Sequence, residues 1–454
     1  MRQEFYETRK VKDKGEVQGT FLKGCVYVEE KFYLILAKNS AQMLLINKLL
    51  RENGIETDLV PSPPESGTVC AIAIKIQGVN LEKAKNILFE NQIEVRGIYE
   101  DKKMKLQGLI DKKLGASVSK EFLDILKKIE DGDELLEKEI VYLLSTEDIK
   151  EIESIYAAAD RIKRETVGNV LEIRGAIEFS NYCCKKCKYC GINSQNKIER
   201  YRMNEEEIME VVGYLNKIGL RTVILQSGED PHWGTERLIQ LIKRIKKETG
   251  MRITLSVGEK SFEEYESLKL AGADNYLLKI ETTNRKLFKT IHPDGDFDSR
   301  LKCSRWLKEL GYINGSGNII GIPGQTIEDI ARDILYFKEM GINMIGIGPF
   351  IPAKGTVFEN MPPGDIDLTI RTMAVTRIVC KKVYIPSTTA LASLSKDAQI
   401  RALKAGANTI MLINTPAKYR TNYMIYNDKN MVDIDSAIYA AKKAGLELPK
   451  YLKL

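Results

Sequence analysis

Between Ile177 and Arg200 the chain reads IEFSNYCCKKCKYCGINSQNKIER, and three of its cysteines, Cys183, Cys187 and Cys190, follow the spacing C-x-x-x-C-x-x-C. Thiols spaced this way on a short loop can converge on one side of a cubic iron-sulfur cluster and leave a fourth iron without a protein ligand. That open corner is where chemistry would start. The competing reading is a structural zinc site, which ordinarily takes four Cys or His ligands in two paired groups. No second pair follows, and the two histidines, His232 and His292, stand alone. Cys184, a fourth thiol in the same loop, falls outside the spacing and reads as a spectator.

Other polar residues gather at regular intervals downstream. Ser227 to Asp230 (SGED), then Thr254, Ser256 and Glu259, then Lys279 and Glu281, then Arg300, and finally GIPGQT, GIGPFIP and Ser387 to Ala390 each follow or flank an apolar run. Any one of these reads equally well as turn chemistry. At successive strand ends of one barrel they read together as a site.

The elements that would position them alternate. From Asn169 onward eight strand candidates (VLEIRGAIEF, TVILQ, RITLSV, NYLLKI, GSGNIIG, NMIGIG, KKVYIP and NTIMLI) are separated by helical patterns such as NEEEIMEVVGYLNKIG, where Asn204 and Glu207 fit a capping box. Eight strand-helix repeats predict an α/β fold of the (β/α)8 TIM type, closed or nearly so, with its site at the strand C-termini. Arg300 is placed at the opening of a helix, SRLKCSRWLKELG.

Ahead of the barrel, KFYLILAK, SAQMLLINKLLRENGI, ETDLVP, TVCAIAIKI, NLEKAKNILFENQI and EVRGIYE read β-α-β-β-α-β, the order of a small ferredoxin-like α+β domain. A further strand is expected at 24–28. The expected organisation is a small domain over 1–100, a lysine-rich linker over 101–117, amphipathic helices over 118–168, and a barrel with a C-terminal helical tail over 169–454.

Composition narrows the class. With 454 residues and 43% apolar residues the chain can build buried cores in more than one domain. Its 69 basic and 63 acidic residues leave a net charge of +6, and no basic stripe with interleaved aromatics suggests nucleic acid. The charged start, MRQEFYETRKVKDKGE, lacks the apolar core of a signal peptide, and no apolar run is long enough to span a bilayer. Eight cysteines, half of them crowded into one loop, fit a reducing cytoplasm.

NYCCKKCKYCG, with aromatic Tyr189 just before the last cysteine, resembles the motif of the radical S-adenosylmethionine (SAM) superfamily. The resemblance implies one [4Fe-4S] cluster whose fourth iron is chelated by the amino and carboxylate groups of SAM. It also implies reductive cleavage to a 5'-deoxyadenosyl radical. Together with RYRM, TVILQSGEDP, the ETTN run, GIPGQTIEDI, IGIGPFIP, IPSTTALASL and KAGANTIM, in that order, it is similar to the HydE family of [FeFe]-hydrogenase maturases, over residues 118 to 430 or so. What this implies is an enzyme that helps assemble the bridging dithiolate of the hydrogenase di-iron subcluster from an iron-complex or other small substrate. An electron donor such as ferredoxin or flavodoxin is implied too, with other hydrogenase maturation proteins as partners. Cys183, Cys187 and Cys190 would hold the cluster. Tyr189, Ser227, Gly228, Glu229, Glu281 and Arg300 would place the cofactor, and Thr254, Lys279, Thr388, Thr389 and Tyr426 would line the substrate cavity.

Some positions depart from that pattern. The family commonly reads Arg-His-Glu-Thr where this chain has Lys279, Ile280, Glu281 and Thr282, and Met-Pro-Asn where it has Met411, Leu412 and Ile413. An ammonium in place of a forked guanidinium holds an anion differently. No cysteine follows Cys380, so no accessory C-terminal cluster is expected. The barrel resembles methylornithine synthase and biotin synthase less closely, so a small amino-acid-like substrate is the alternative, and a non-catalytic cluster scaffold is the alternative outside enzymology. The front domain looks like sulfur or selenium carrier-like domains, which would make Cys70 a persulfide-carrying or docking thiol; the plainer reading is a half-buried strand cysteine.

Overall fold

The computed structural model describes residues 31–62, 72–101, 105–106, 108–109 and 117–453. Cys70 and the strand expected at 24–28 lie outside them. In the small domain β1 (Phe32–Leu36), α1 (Ser40–Glu52), β2 (Asp58–Pro61), β3 (Ile72–Gln77), α2 (Leu81–Glu90) and β4 (Gly97–Glu100) run in the expected order. The antiparallel sheet has the order β2-β3-β1-β4, that of a ferredoxin-like fold. Alternation makes its core: Ile35, Ile74 and Ile76 pack against Ile46 and Leu50 of α1 and Ile87 and Leu88 of α2.

Three helices follow, α3 (Lys120–Asp131), α4 (Glu137–Ser145) and α5 (Ile149–Thr166). In α3 the apolar residues Phe122, Ile125, Leu126 and Ile129 are buried and Leu123 is half-buried, and Ser119 caps the helix by accepting from the Phe122 N–H at 3.1 Å.

The barrel alternates β5 (Glu172–Ser180), α6 (Glu205–Lys217), β6 (Thr222–Ser227), α7 (Thr235–Thr249), β7 (Arg252–Ser256), α8 (Phe262–Ala271), β8 (Asn275–Leu277), α9 (Arg285–Ile291), α10 (Phe297–Glu309), β9 (Ile313–Ile320), α11 (Ile327–Glu339), β10 (Met344–Pro349), α12 (Ile366–Cys380), α13 (Thr389–Leu394), α14 (Lys396–Lys404) and β11 (Thr409–Ile413). Then come α15 (Ala417–Arg420) and α16 (Ile434–Ala444). Seven strands form one parallel sheet in the order β10-β9-β8-β7-β6-β5-β11. On each strand one set of residues, such as Val223 and Leu225 or Ile253 and Leu255, joins the core shared with the surrounding helices. The alternate set faces the interior of the ring.

The expected strand KKVYIP is the one that falls short. Tyr384 and Pro386 make only isolated parallel bridges, to Met344 on β10 and Thr409 on β11. Proline has no N–H for a ladder, and Lys381, the first residue of the segment, has a φ of 52°. Those bridges still join the two edges of the sheet, through Ile345 N–H to Tyr384 O and Asn408 N–H to Ile385 O at 2.8 and 2.9 Å. The ring is closed.

Two further boundaries differ from expectation. The fourth strand is only three residues long, and the helix carrying Arg300 begins at Phe297, capped by Asp296, which accepts from the Ser299 N–H at 2.7 Å. Arg300 therefore sits in the first turns rather than at the opening. The capping box of α6 forms as expected, with Asn204 and Glu207 bonded reciprocally at 2.8 and 2.9 Å.

The small domain meets the barrel at the N-terminal ends of its strands. Asp58 pairs with Lys308 of α10 at 2.8 Å, and a side-chain carbon on Gly311, just before β9, would stand 2.5 Å from the Met43 methyl. This is the end opposite the cysteine loop.

Candidate cluster and cofactor site

The cysteine loop leaves the C-terminal end of β5 and is held by its neighbours at nearly every turn. Cys184 N–H donates to the Glu229 carbonyl at 3.0 Å, Lys188 N–H to Ile291 O at 2.9 Å, and Gly191 N–H to Ile425 O at 2.9 Å. Lys186 N–H donates to the Asp294 carboxylate at 3.1 Å. Arg200, from the RYRM run, spreads its guanidinium over four loop carbonyls, those of Asn181, Ile192, Asn193 and Asn196. Gly228 is forced by this packing, because a Cβ there would stand 2.2 Å from the Tyr182 carbonyl oxygen and 2.6 Å from the Cys183 Cβ.

Within that frame Cys183, Cys187 and Cys190 are half-buried and Cys184 is exposed. Burial raises the pKa of each of the three, Cys190 to about 12, and neighbouring thiols push in the same direction. Three half-buried sulfurs that resist ionisation fit a cationic cluster, which would stabilise their thiolates.

His292, which looked isolated in the sequence, places Nδ1 3.1 Å from the Cys187 Sγ. Its ring is 4% exposed, set against Phe288 and edge-on to Tyr189 with centroids 4.7 and 5.5 Å away. Burial, then Arg300 and Lys185, hold its pKa below the usual imidazole range.

The strand-end residues form a charged chain beside the loop. The Glu229 carboxylate packs under Gly258, accepts from the Glu259 N–H at 3.3 Å, and lies 3.5 Å from Lys185 Nζ. Burial raises its pKa and Lys185 opposes the rise. Arg300 gives Nε to Glu259 and Nη1 to the Lys279 carbonyl, both at 2.5 Å, so two of its three nitrogens are engaged inside the protein. Lys279 Nζ lies 2.9 Å from Glu281 Oε2 and donates to the Asn318 carbonyl at 3.2 Å. Tyr189 reaches Glu281 Oε1 at 3.4 Å. Glu281 has a φ of 64°, a left-handed conformation uncommon for a long side chain and a form of strain found at functional positions. Its loop is anchored from α11 by Asp333, which accepts from the Thr283 N–H and Oγ1 and from Asn318 Nδ2 at 2.6, 2.7 and 3.0 Å.

The remaining expected residues are engaged locally. Ser227 turns its hydroxyl onto the Gly228 carbonyl at 2.7 Å. Thr254 accepts from Asn275 Nδ2 at 2.9 Å, and Thr388 caps α13. Thr389 and Tyr426 share a hydrogen bond of 2.9 Å. Near them an ion pair that the motifs did not signal, Glu178 of β5 with Lys429, is almost fully buried, and Thr415 donates to the same carboxylate.

Comparison with known proteins matches three families along the chain. Residues 177–337 match the radical SAM superfamily, 32–100 the family described as "Putative Se/S carrier protein-like", and 347–447 the biotin and thiamin synthesis associated domain. The [FeFe] hydrogenase maturase subunit HydE of Thermotoga maritima is 43% identical over 307 residues, 67% of this chain and 88% of that protein. The chain belongs to the HydE family. It is a radical SAM enzyme, with a [4Fe-4S] cluster and SAM as cofactors. Within the wider superfamily this HydE-family chain is 28% identical to 3-methylornithine synthase of Methanosarcina acetivorans over 71% of its length and 92% of the relative. The crystal structure of methylornithine synthase superposes with a TM-score of 0.66 at 26% identity, covering 72% of this chain and 98% of that one. The maturase HydG of Carboxydothermus hydrogenoformans shares the fold at a TM-score of 0.65 and 20% identity, over 74% and 81% of the two chains.

Proposed function

We propose that Cys183, Cys187 and Cys190 ligate the cluster, with Cys184 a spectator. On this reading the enzyme serves in building the bridging dithiolate of the [FeFe]-hydrogenase di-iron subcluster from an iron-complex or other small substrate. The observation that carries it is the trio of half-buried thiols, clamped beside Glu229, Glu281 and Arg300, in a chain of HydE sequence. A [4Fe-4S] cluster held by these thiols would supply the electron for reductive cleavage of SAM. The chain's own part is to bind, orient and exclude water. Arg300, braced by Glu259, offers its remaining nitrogen to a carboxylate, and Glu281, next to Lys279, offers a carboxylate to the cofactor. Tyr189 covers the loop, Ser227, Gly228 and Glu229 cradle the amino end, and Thr254, Lys279, Thr388, Thr389 and Tyr426 line the interior that receives substrate.

The division into 1–100, 101–117, 118–168 and 169–454 goes with this reading, as do a cytoplasmic setting, a ferredoxin or flavodoxin donor and other maturation proteins as partners. Among the described residues no helix is long and apolar enough to cross a membrane.

A second reading, a mutase-like enzyme on a small amino acid, is favoured by Lys279 standing where the family commonly has arginine. Anoxic, reconstituted protein reduced with SAM present separates these from a passive scaffold: release of 5'-deoxyadenosine is expected, and none identifies a scaffold. Deuterium passing into 5'-deoxyadenosine from a labelled amino acid, but not from an iron-complex substrate, would favour the mutase.

A further inference from the structure

We propose that His292 donates an Nδ1–H hydrogen bond to the Cys187 thiolate and thereby raises the reduction potential of the cluster. The inference rests on Cys187 being a cluster ligand.

The three sulfurs are not served alike. For Cys183 the neighbouring donors are backbone N–H groups, those of Lys185 and Glu229, and for Cys190 that of Ile192, which hold the two thiol pKa values down against burial. On Cys187 the donor is a side chain, the imidazole 3.1 Å away.

Its placement is built by three consecutive anchors. The helix α9 ends at His292 and Pro293 prevents its continuation; Ile291 O accepts from Lys188 N–H, and Asp294 accepts from Lys186 N–H, so the segment grips 186–188 on both sides of Cys187. Phe288 and Tyr189 then fix the ring plane.

The tautomer follows from the partners. A thiolate bound to iron only accepts, so a proton on Nε2 would set two lone pairs face to face and bury an unpaired donor. With the proton on Nδ1 the thiolate is satisfied and the bare Nε2 remains, buried and without a hydrogen-bond partner among the described residues. Leaving such an acceptor unsatisfied carries a desolvation cost, and the bond to the thiolate is what the ring gains in return. Hydrogen bonds to cluster sulfurs withdraw charge and favour the reduced state.

The test is EPR-monitored potentiometry on the full chain, reconstituted under anoxia without SAM, in wild type, His292→Phe and His292→Asn. Phenylalanine keeps the ring and removes the donor, whereas the asparagine amide stands near the Nδ1 position. With equal iron and sulfide in all three, His292→Phe is expected to be roughly tenfold harder to reduce, a potential lower by about 59 mV for one electron. His292→Asn should recover most of that difference. Equal potentials in wild type and His292→Phe, or a shift that asparagine leaves unrestored, overturn the proposal. Pulsed EPR on unmutated protein carrying 15N-histidine decides the case in which His292→Phe fails to fold: coupling of the reduced cluster to an imidazole nitrogen supports the bond, and its absence overturns it. A normal cluster spectrum without that coupling defeats only this inference, whereas a wild-type chain that takes up no cluster defeats the ligand assignment beneath it.

Discussion

Arg300 Nε sits 2.5 Å from Glu259 Oε1, in a pocket where the arginine side chain is only 11% exposed. The pair aims the guanidinium before any cofactor arrives, and preorganisation of this kind lowers the cost of binding. Arg300→Ala is expected to weaken SAM binding to the cluster-loaded protein by about 1.5–3 kcal/mol, roughly ten- to a hundredfold, in equilibrium titration. Unchanged affinity rejects its role.

Gly228→Ala should cost the protein its iron. The added carbon would press on the Tyr182 carbonyl and the Cys183 Cβ, displacing the loop rather than a flexible side chain. Gly213, on α6 with nothing within 4 Å of its Cβ position, is the control: Gly213→Ala keeps full iron content and gains up to about 0.5–1 kcal/mol in denaturation. Equal iron in the two variants would contradict the close-packing argument.

Cys184→Ala should leave iron content untouched, and Cys187→Ala should lower it. The exposed Cys184 is tied in through its backbone N–H to Glu229, which alanine preserves, while Cys187 is half-buried among the other thiols. Iron assays on the two variants that come out alike would mean the ligands are misassigned.

Stability should depend on pH through Asp333. Burial, opposed by its Asn318 and Thr283 donors, raises its carboxyl from 3.8 to about 7. Because the folded state holds the proton more tightly, this group's contribution is fully present below pH 3.8 and is lost as pH rises through 7. The loss is on the order of a few kcal/mol. Urea denaturation at pH 5 and pH 8 should show a larger fall for wild type than for Asp333→Asn; parallel curves would refute it.

Much of this was legible in the chain. Strand and helix periodicity located the barrel repeats and the β-α-β-β-α-β order of the small domain, and the C-x-x-x-C-x-x-C spacing located the loop. What could not be read were contacts between distant segments. His292 lies 105 residues from Cys187 in sequence, and Glu178 lies 251 from Lys429. No local pattern encodes such pairs. A polar residue next to a predicted strand end was the available signal for Glu259, and an Ile-His-Pro-Asp turn after a short helix the one for His292. KKVYIP misled because its apolar composition is that of a strand while Pro386 denies it a full ladder. The front domain's seat at the far end of the barrel also came only from the structure. A direct hand-over from that domain to the cysteine loop would require it to leave the face held by Asp58 and Lys308.

Mössbauer spectroscopy of 57Fe-reconstituted protein, with and without SAM, tests the central claim most directly. Four irons per chain are expected for a [4Fe-4S] cluster, with the spectrum of one of them changing when SAM is added. Zinc taken up in place of iron, or four irons that stay indifferent to SAM, would contradict it.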